Sequence, residues 1–114
     1  MEIGLTYTSR LVVSTDHVAA VMGSGDLHVF ATPAMVALME NAAMLAVAGH
    51  LPEGSTTVGA MMNTSHVKPS PVDETIQATA VLTGGIIQRA PIGHIASYLQ
   101  MSLETLSRVR SGIQ

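Results

Sequence analysis

Residues 32–49 have the sequence TPAMVALMENAAMLAVAG, and this stretch decides the fold class of the protein. It opens with Thr32, whose hydroxyl suits a helix N-cap, and Pro33, which suits the first helical turn because no N–H donor is needed there. Gly49 and Pro52 are typical helix-ending residues. Nearly all residues between these signals are Ala, Met, Leu or Val. The stretch therefore predicts a long helix that is buried on most of its faces.

The segments on either side of this helix alternate between apolar and polar residues with a period of two, which predicts strands. Residues 5–14 precede the helix, and residues 56–67 and 74–82 follow it. The order strand, helix, strand, strand predicts an α+β domain in which an antiparallel sheet curls around one central helix. Residues 99–104 also alternate, which favours a further strand over the helical spacing that this tail also fits.

The composition favours a small domain that forms oligomers. Hydrophobic residues make up 47% of the 114-residue chain and charged residues 11%, whereas an average soluble domain has roughly 25% charged residues. The longest apolar runs, Ala42–Gly49 and Ile95–Leu99, are much shorter than the ~20 residues that span a membrane, so we expect no membrane-spanning segment. The surplus apolar surface then predicts a contact between subunits.

Several functional classes are disfavoured by the residues that the chain lacks. It has no cysteine, which excludes disulfides, thiolate catalysis and cysteine-bound zinc. A net charge of −3 and 3% aromatic residues argue against nucleic-acid binding. His17, His28, His50 and His94 show no ligand spacing with carboxylates, so we expect no metal site. Residues 1–4 do not resemble a signal peptide, and we expect a cytoplasmic protein.

Glu40 is the one charged residue between Leu27 and Pro52. Burying an unpaired carboxylate is costly, so a chain that keeps one within an apolar helix has either a partner or a use for it. Two interpretations follow. Glu40 is a structural residue that faces solvent or forms an ion pair, or it is a base or polarising group in a pocket.

Thr32 and His66 each have a structural and a functional interpretation. Thr32 is a helix cap, a site residue at the helix start, or both, because free amides and a hydroxyl there can hold a carbonyl or an anion. His66 lies near the end of the segment 56–67, where a histidine is often structural. Its imidazole is also the side chain best suited to proton transfer near neutral pH.

Two stretches of the chain resemble the signature of the hotdog thioesterases related to fluoroacetyl-CoA thioesterase. Residues 23–40, GSGDLHVFATPAMVALME, form the first stretch. The second combines Thr57-Val58-Gly59 with Asn63-Thr64-Ser65-His66 and the prolines at 69 and 71. The resemblance covers about residues 5–83, and its Thr32, Glu40 and His66 are spaced by 8 and 26 residues.

The resemblance implies a hotdog fold, in which an antiparallel sheet wraps around one long central helix and subunits pair as a homodimer or a dimer of dimers. It implies hydrolysis of a small acyl-CoA at the dimer interface, with no cofactor, since CoA enters only as part of the substrate. The implied catalytic residues are Thr32, Glu40 and His66, and the implied substrate-binding residues are Gly59, Phe30 and Pro33. At Gly59 the missing side chain would let a ligand approach the backbone.

The chain departs from the family pattern at three places. Asp73 stands where relatives usually have glycine in a turn, and aspartate also suits turns. Residues 84–97, with Pro91 among them, do not match the expected tight hairpin, and the chain ends at Gln114, earlier than relatives. We therefore expect a single hotdog domain over residues 1–114, with atypical or shortened C-terminal strands in residues 84–114.

Helix geometry adds one expectation about the site. Eight residues of α-helix rise about 12 Å, so Thr32 and Glu40 of one chain should not touch. A compact site then either uses a long side chain between them or takes one member from the other subunit, and we expect the second. Two alternatives to hydrolysis stay open: a non-catalytic module that binds acyl groups or CoA, and hydration of an enoyl thioester. The second usually needs an Asp/His pairing that the sequence does not contain.

Overall fold

The computed structural model of the chain describes residues 2–84, 87–89, 96–98 and 101–108. The elements in chain order are β1 (Thr6–Val12), a 3₁₀ turn (Thr15–His17), α1 (Ala19–Met22), α2 (Thr32–Val47), a second 3₁₀ turn (Ala48–His50), β2 (Thr75–Leu82), β3 (Ile87–Arg89), β4 (Ala96–Tyr98) and β5 (Met101–Arg108). The predicted α+β class is confirmed.

Three strands form an antiparallel sheet in the order β1-β2-β5, with β2 in the centre. Thr75 lies opposite Val12 of β1 and Arg108 of β5. Alternate residues of β2 are buried, as the period-two pattern predicted, and these are Ile76, Ala78, Ala80 and Leu82. They form the face of the sheet that packs against α2. Strands β3 and β4 form a separate antiparallel pair.

Helix α2 packs on the sheet along one side only. Seven of its 16 residues are buried, namely Ala34, Met35, Leu38, Met39, Ala42, Ala46 and Val47. On the other side Met44 and Leu45 are each 37% exposed. The expectation that the helix is buried on most faces is therefore wrong for a single chain, because one sheet layer covers only one side of a helix.

The start of α2 also differs from the expectation that Thr32 is the N-cap. Ala31 is the N-cap and makes no side-chain capping bond, while Thr32 is the first helical residue and Pro33 lies in the first turn. The Thr32 hydroxyl is engaged outside the helix instead. A hydroxyl that accepts from a helix amide cannot point away from the helix at the same time, so the purely structural cap interpretation is wrong.

The strand predicted over residues 56–67 is not formed. These residues belong to no strand of the described chain, and Val58, Met61 and Val67 are 86%, 92% and 89% exposed. Alternation predicts which side chains share a face, but a strand also needs a neighbour for its backbone hydrogen bonds. No described strand provides that neighbour for residues 56–67.

The C-terminal strand favoured for residues 99–104 is confirmed from Met101 onward, where β5 begins. Leu99, Gln100 and residues 109–114 lie outside the described residues. The segment expected to be atypical contributes β3 and β4, and residues 90–95 between them also lie outside the described residues.

One helical segment, Thr32–His50, is long and apolar enough to cross a membrane by length and composition alone. The core helix of a soluble protein passes the same test. Glu40 and Asn41 interrupt the apolar runs of this segment, so the length of its uninterrupted runs stays below that of a membrane span.

Candidate active site

Backbone hydrogen bonds hold the chain in place just before α2. The amide of Ala19 donates to Val29 O, and the amide of Ala31 donates to His17 O, each at 2.8 Å. The amide of Phe30 donates to Ser70 O at 2.7 Å. This last bond joins two distant parts of the chain, and it fixes how the start of α2 lies against the segment that ends at Ser70.

Thr32 and His66 meet as a result. Thr32 follows Phe30 by two residues and His66 precedes Ser70 by four, so both lie close to the hydrogen bond that joins the two segments. Thr32 Oγ1 lies 2.7 Å from His66 Nδ1, although the two residues are 34 positions apart. Thr32 is exposed and His66 is partly buried. A hydroxyl and an imidazole at this distance can exchange a proton.

Phe30 lies beside this pair. Its ring meets the His66 ring edge to face, with centroids 6.4 Å apart and planes at 82°. Phe30 is 2% exposed, whereas Pro33, the other substrate-binding candidate near the helix start, is exposed. The buried Phe30 ring therefore contacts the site through the imidazole.

Glu40 lies against Gly59. A Cβ built on Gly59 would overlap Glu40 Oε2 and lie 2.9 Å from Glu40 Cδ. Gly59 thus leaves room for the carboxylate of the same chain, in addition to any ligand that approaches its backbone. Glu40 is exposed in the single chain, and its carboxylate makes no hydrogen bond or ion pair with the described residues.

The segment between Gly59 and His66 runs antiparallel to α2. Gly59 lies at Glu40, Thr64 Oγ1 approaches Met39 Sδ at 4.0 Å, and His66 lies at Thr32. Thr32 and Glu40 belong to α2, and His66 lies beside the start of the same helix. Thr32 and His66 touch, and within one chain Glu40 makes no recorded contact with either.

Three further residues contribute that the sequence interpretation did not identify. Ser70 accepts the hydrogen bond from Phe30, and Thr64 contacts Met39 of α2. Thr64 belongs to the stretch that resembles the family signature, but no local pattern assigned a role to either residue. Asn41, next to Glu40, accepts a hydrogen bond at 2.7 Å from the hydroxyl of Ser9 on β1. As the other strongly polar residue in the middle of an apolar helix, Asn41 could have been suspected from the sequence.

The chemistry available at this site is that of a hydroxyl, an imidazole and a carboxylate. These groups can move protons, activate water or attack a carbonyl carbon. Within the described residues, no group of three His, Asp or Glu side chains could hold a metal ion.

Comparison with known proteins gives one family match. A family profile described as FlK, fluoroacetyl-CoA-specific thioesterase, matches residues 13–89, which is more than half of the chain and includes Thr32, Glu40 and His66. No curated protein matches the sequence significantly.

Solved structures of the fluoroacetyl-CoA thioesterase FlK have a similar fold. One is 22% identical, covers 96% of this chain and 87% of its own, and has a TM-score of 0.69. A variant in complex with fluoroacetate and CoA has 22% identity, coverage of 96% and 94%, and a TM-score of 0.70. A variant in complex with acetyl-CoA has 22% identity, coverage of 93% and 90%, and a TM-score of 0.69. The expected hotdog fold is confirmed.

Proposed function

This chain belongs to the fluoroacetyl-CoA-specific thioesterase family and is an acyl-CoA thioesterase, and we propose that it hydrolyses a small acyl-CoA to the free acid and CoA. The proposed catalytic residues are Thr32, Glu40 and His66. The observation that carries the assignment is the 2.7 Å hydrogen bond between Thr32 Oγ1 and His66 Nδ1. Acetyl-CoA, fluoroacetate and CoA occur in complexes of the similar structures, which supports a short acyl group.

The hydrogen bond between Thr32 and His66 serves either of two routes. In the first, the Thr32 hydroxyl gives its proton to Nδ1 and its oxygen attacks the thioester carbon. CoA then leaves as the thiol with that proton, and water hydrolyses the acyl-threonine ester. In the second, Nδ1–H donates to Thr32 Oγ1, and Nε2 takes a proton from the water that attacks the thioester carbon. The C–S bond then breaks, and this proton passes to the departing CoA sulfur. An early burst of CoA release marks the first route.

Backbone amides are the proposed donors to the thioester oxygen, which becomes negatively charged in the transition state. Thr32 begins α2, where helix amides lack partners and the helix dipole favours negative charge. The Gly59 amide has no recorded acceptor among the described residues. Such preorganised donors commonly contribute a large part of the rate enhancement in acyl transfer.

We propose that the complete site lies between two subunits, where Glu40 of one chain meets the Thr32–His66 pair of the other. Glu40 is exposed, carries an unpaired carboxylate and does not touch the pair in its own chain, which supports this arrangement. A homodimer would also cover apolar side chains that one chain leaves exposed, among them Met44, Leu45, Val58 and Met61. We propose that this dimer acts in the cytoplasm without a cofactor.

Release of free thiol from a panel of acyl-CoAs tests the proposal. We expect acetyl-, fluoroacetyl- and propionyl-CoA to be hydrolysed faster than longer acyl-CoAs. Glu40→Gln should lower kcat about 10²- to 10⁴-fold, the usual contribution of an acid or base, while light scattering shows an unchanged dimer. An unchanged rate in Glu40→Gln removes Glu40 from the catalytic set. Tight binding of acyl-CoA without thiol release favours a binding module instead.

A further inference from the structure

We propose that Phe30 is a positioning residue that holds the imidazole of His66 in its working orientation. This inference rests on the proposed function, in which His66 transfers a proton. It assigns to Phe30 a role that differs from direct contact with the substrate.

No strand pairing in the described chain orients the backbone that carries His66. The segment 56–67 forms no strand, and Val67, the next residue, is 89% exposed. Among the described residues the imidazole has two recorded contacts, the Thr32 hydroxyl and the ring of Phe30. These two side chains are the ones that we propose orient the imidazole.

Phe30, in contrast, is held firmly. It is 2% exposed, forms an isolated β-bridge with Val18, and donates its amide to Ser70 O. The residues on both sides of it, Val29 and Ala31, are also hydrogen-bonded through the backbone. A side chain fixed in this way is a rigid surface against which a mobile ring can be oriented.

The two contacts constrain different motions of the imidazole. The hydrogen bond to Thr32 fixes the position of Nδ1, but it leaves rotation about the line from Oγ1 to Nδ1. The edge-to-face contact with Phe30, at 82°, restricts that rotation, because aromatic pairs prefer such an arrangement. Together they set the direction of Nε2, the atom that takes the proton in the water route.

The test compares Phe30→Leu, which keeps apolar bulk but removes the ring, with Ile76→Val. Ile76 is a buried residue of β2 without a recorded contact to His66, so its variant controls for a modest loss of packing. We expect Phe30→Leu to lower kcat about 3- to 10-fold, from the usual strength of an aromatic pair. We expect KM to change less than about twofold, and Ile76→Val to keep the wild-type kcat, because neither change touches the bound substrate.

Nuclear magnetic resonance of His66 gives a readout that does not require activity. In the wild type, the imidazole protons should show nuclear Overhauser effects to the Phe30 ring, and these signals should shift and broaden in Phe30→Leu but not in Ile76→Val. Absence of the Overhauser effects in the wild type overturns the proposal even if Phe30→Leu does not fold.

Two kinetic results would also contradict the proposal. Equal losses of kcat in both variants mean that Phe30 acts only by packing, and a raised KM with unchanged kcat means that it contacts the acyl group. If the wild type hydrolyses no thioester, the proposed function fails, and the His66 signals still decide whether Phe30 orients the imidazole.

Discussion

The carboxylate of Glu40, in the middle of α2, lies against the Cα of Gly59 in the segment that follows the helix. No side chain larger than hydrogen fits at position 59 while the carboxylate stays where it is, since a Cβ would overlap Oε2. A side chain at position 59 would therefore force the carboxylate to move, and this contact makes the proposed function testable at a residue that carries no functional group.

Gly59→Ala should displace the Glu40 carboxylate and lower kcat about tenfold or more, approaching the loss in Glu40→Gln. The matched control is Gly49→Ala, because a Cβ at Gly49 meets nothing within 4 Å. Thiol release by both variants, with circular dichroism to confirm folding, checks this expectation. Wild-type kcat in Gly59→Ala would show that the carboxylate need not lie at this place.

Thr32→Val removes the hydroxyl that bonds to His66 Nδ1 and keeps the shape of the side chain. We expect kcat to fall about 100-fold or more, because both proposed routes depend on this hydroxyl. Thr32→Ser keeps the hydroxyl and should retain most of the activity. Steady-state hydrolysis of acetyl-CoA compares the two variants, and similar losses in both would contradict a role for the hydroxyl.

A site shared between subunits predicts complementation between two inactive variants. A heterodimer of Glu40→Gln and His66→Ala chains, purified through two different tags, would have one intact site and one doubly altered site. Its rate should be about half that of the wild-type dimer, since a two-fold dimer has two equivalent sites.

The control for complementation is a heterodimer of Thr32→Val and His66→Ala chains. Thr32 and His66 meet within one chain, so neither site of this heterodimer is intact and no activity should return. Failure of the Glu40→Gln and His66→Ala pair to regain activity would place all three residues in one protomer.

Asp73 is the one non-glycine residue of the described chain with a positive φ, at 78°. Glycine would adopt this φ without strain, whereas L-residues pay roughly 1–2 kcal/mol in that region and aspartate somewhat less. Asp73→Gly should raise the free energy of unfolding by about 0.5 kcal/mol, and Asp73→Ala should lower it by about 1 kcal/mol. Urea unfolding of the wild type and the two variants checks this order of stabilities. Equal free energies of unfolding for Asp73→Ala and Asp73→Gly would contradict it.

Glu74 is 5% exposed, and its Oε2 has no hydrogen-bond partner among the described residues. Leaving a buried polar atom unpaired costs about 1–3 kcal/mol, so Glu74→Leu should raise the melting temperature by several degrees. The control is Glu53→Gln at an exposed position, which should change stability by less than about 0.5 kcal/mol. A lower melting temperature in Glu74→Leu would indicate that this carboxylate has a stabilising partner.

Local sequence patterns predicted the elements whose formation depends on local physics. The apolar run closed by Gly49 predicted α2, and the alternation of residues 74–82 predicted which side chains of β2 are buried. Both follow from backbone geometry, because helices and strands repeat with fixed periods. The same alternation predicted a strand over residues 56–67, and that prediction was wrong because no pattern within a segment supplies a hydrogen-bonding neighbour.

Identifying the candidate site required both the local sequence pattern and the family resemblance. Glu40 stood out in the sequence as a lone acid in an apolar helix. Thr32 and His66 were candidates from their positions, and the resemblance implied their catalytic role. Neither source placed Phe30 beside the imidazole or the Glu40 carboxylate on Gly59. The local interpretation of Thr32 as an N-cap failed because His66, 34 residues away, binds the same hydroxyl.

The sequence by itself thus determined the α+β class, the long helix and the buried face of β2, and it marked Thr32, Glu40 and His66 as candidates for the site. Only the tertiary structure decided that Thr32 bonds to His66, that Glu40 makes no hydrogen bond or ion pair with the described residues, and that one side of α2 remains exposed. The physical reason is the distance along the chain over which each kind of interaction acts. Periodicity and capping act within a few residues, whereas each of these contacts joins side chains that only the packing of helix, sheet and loop brings together.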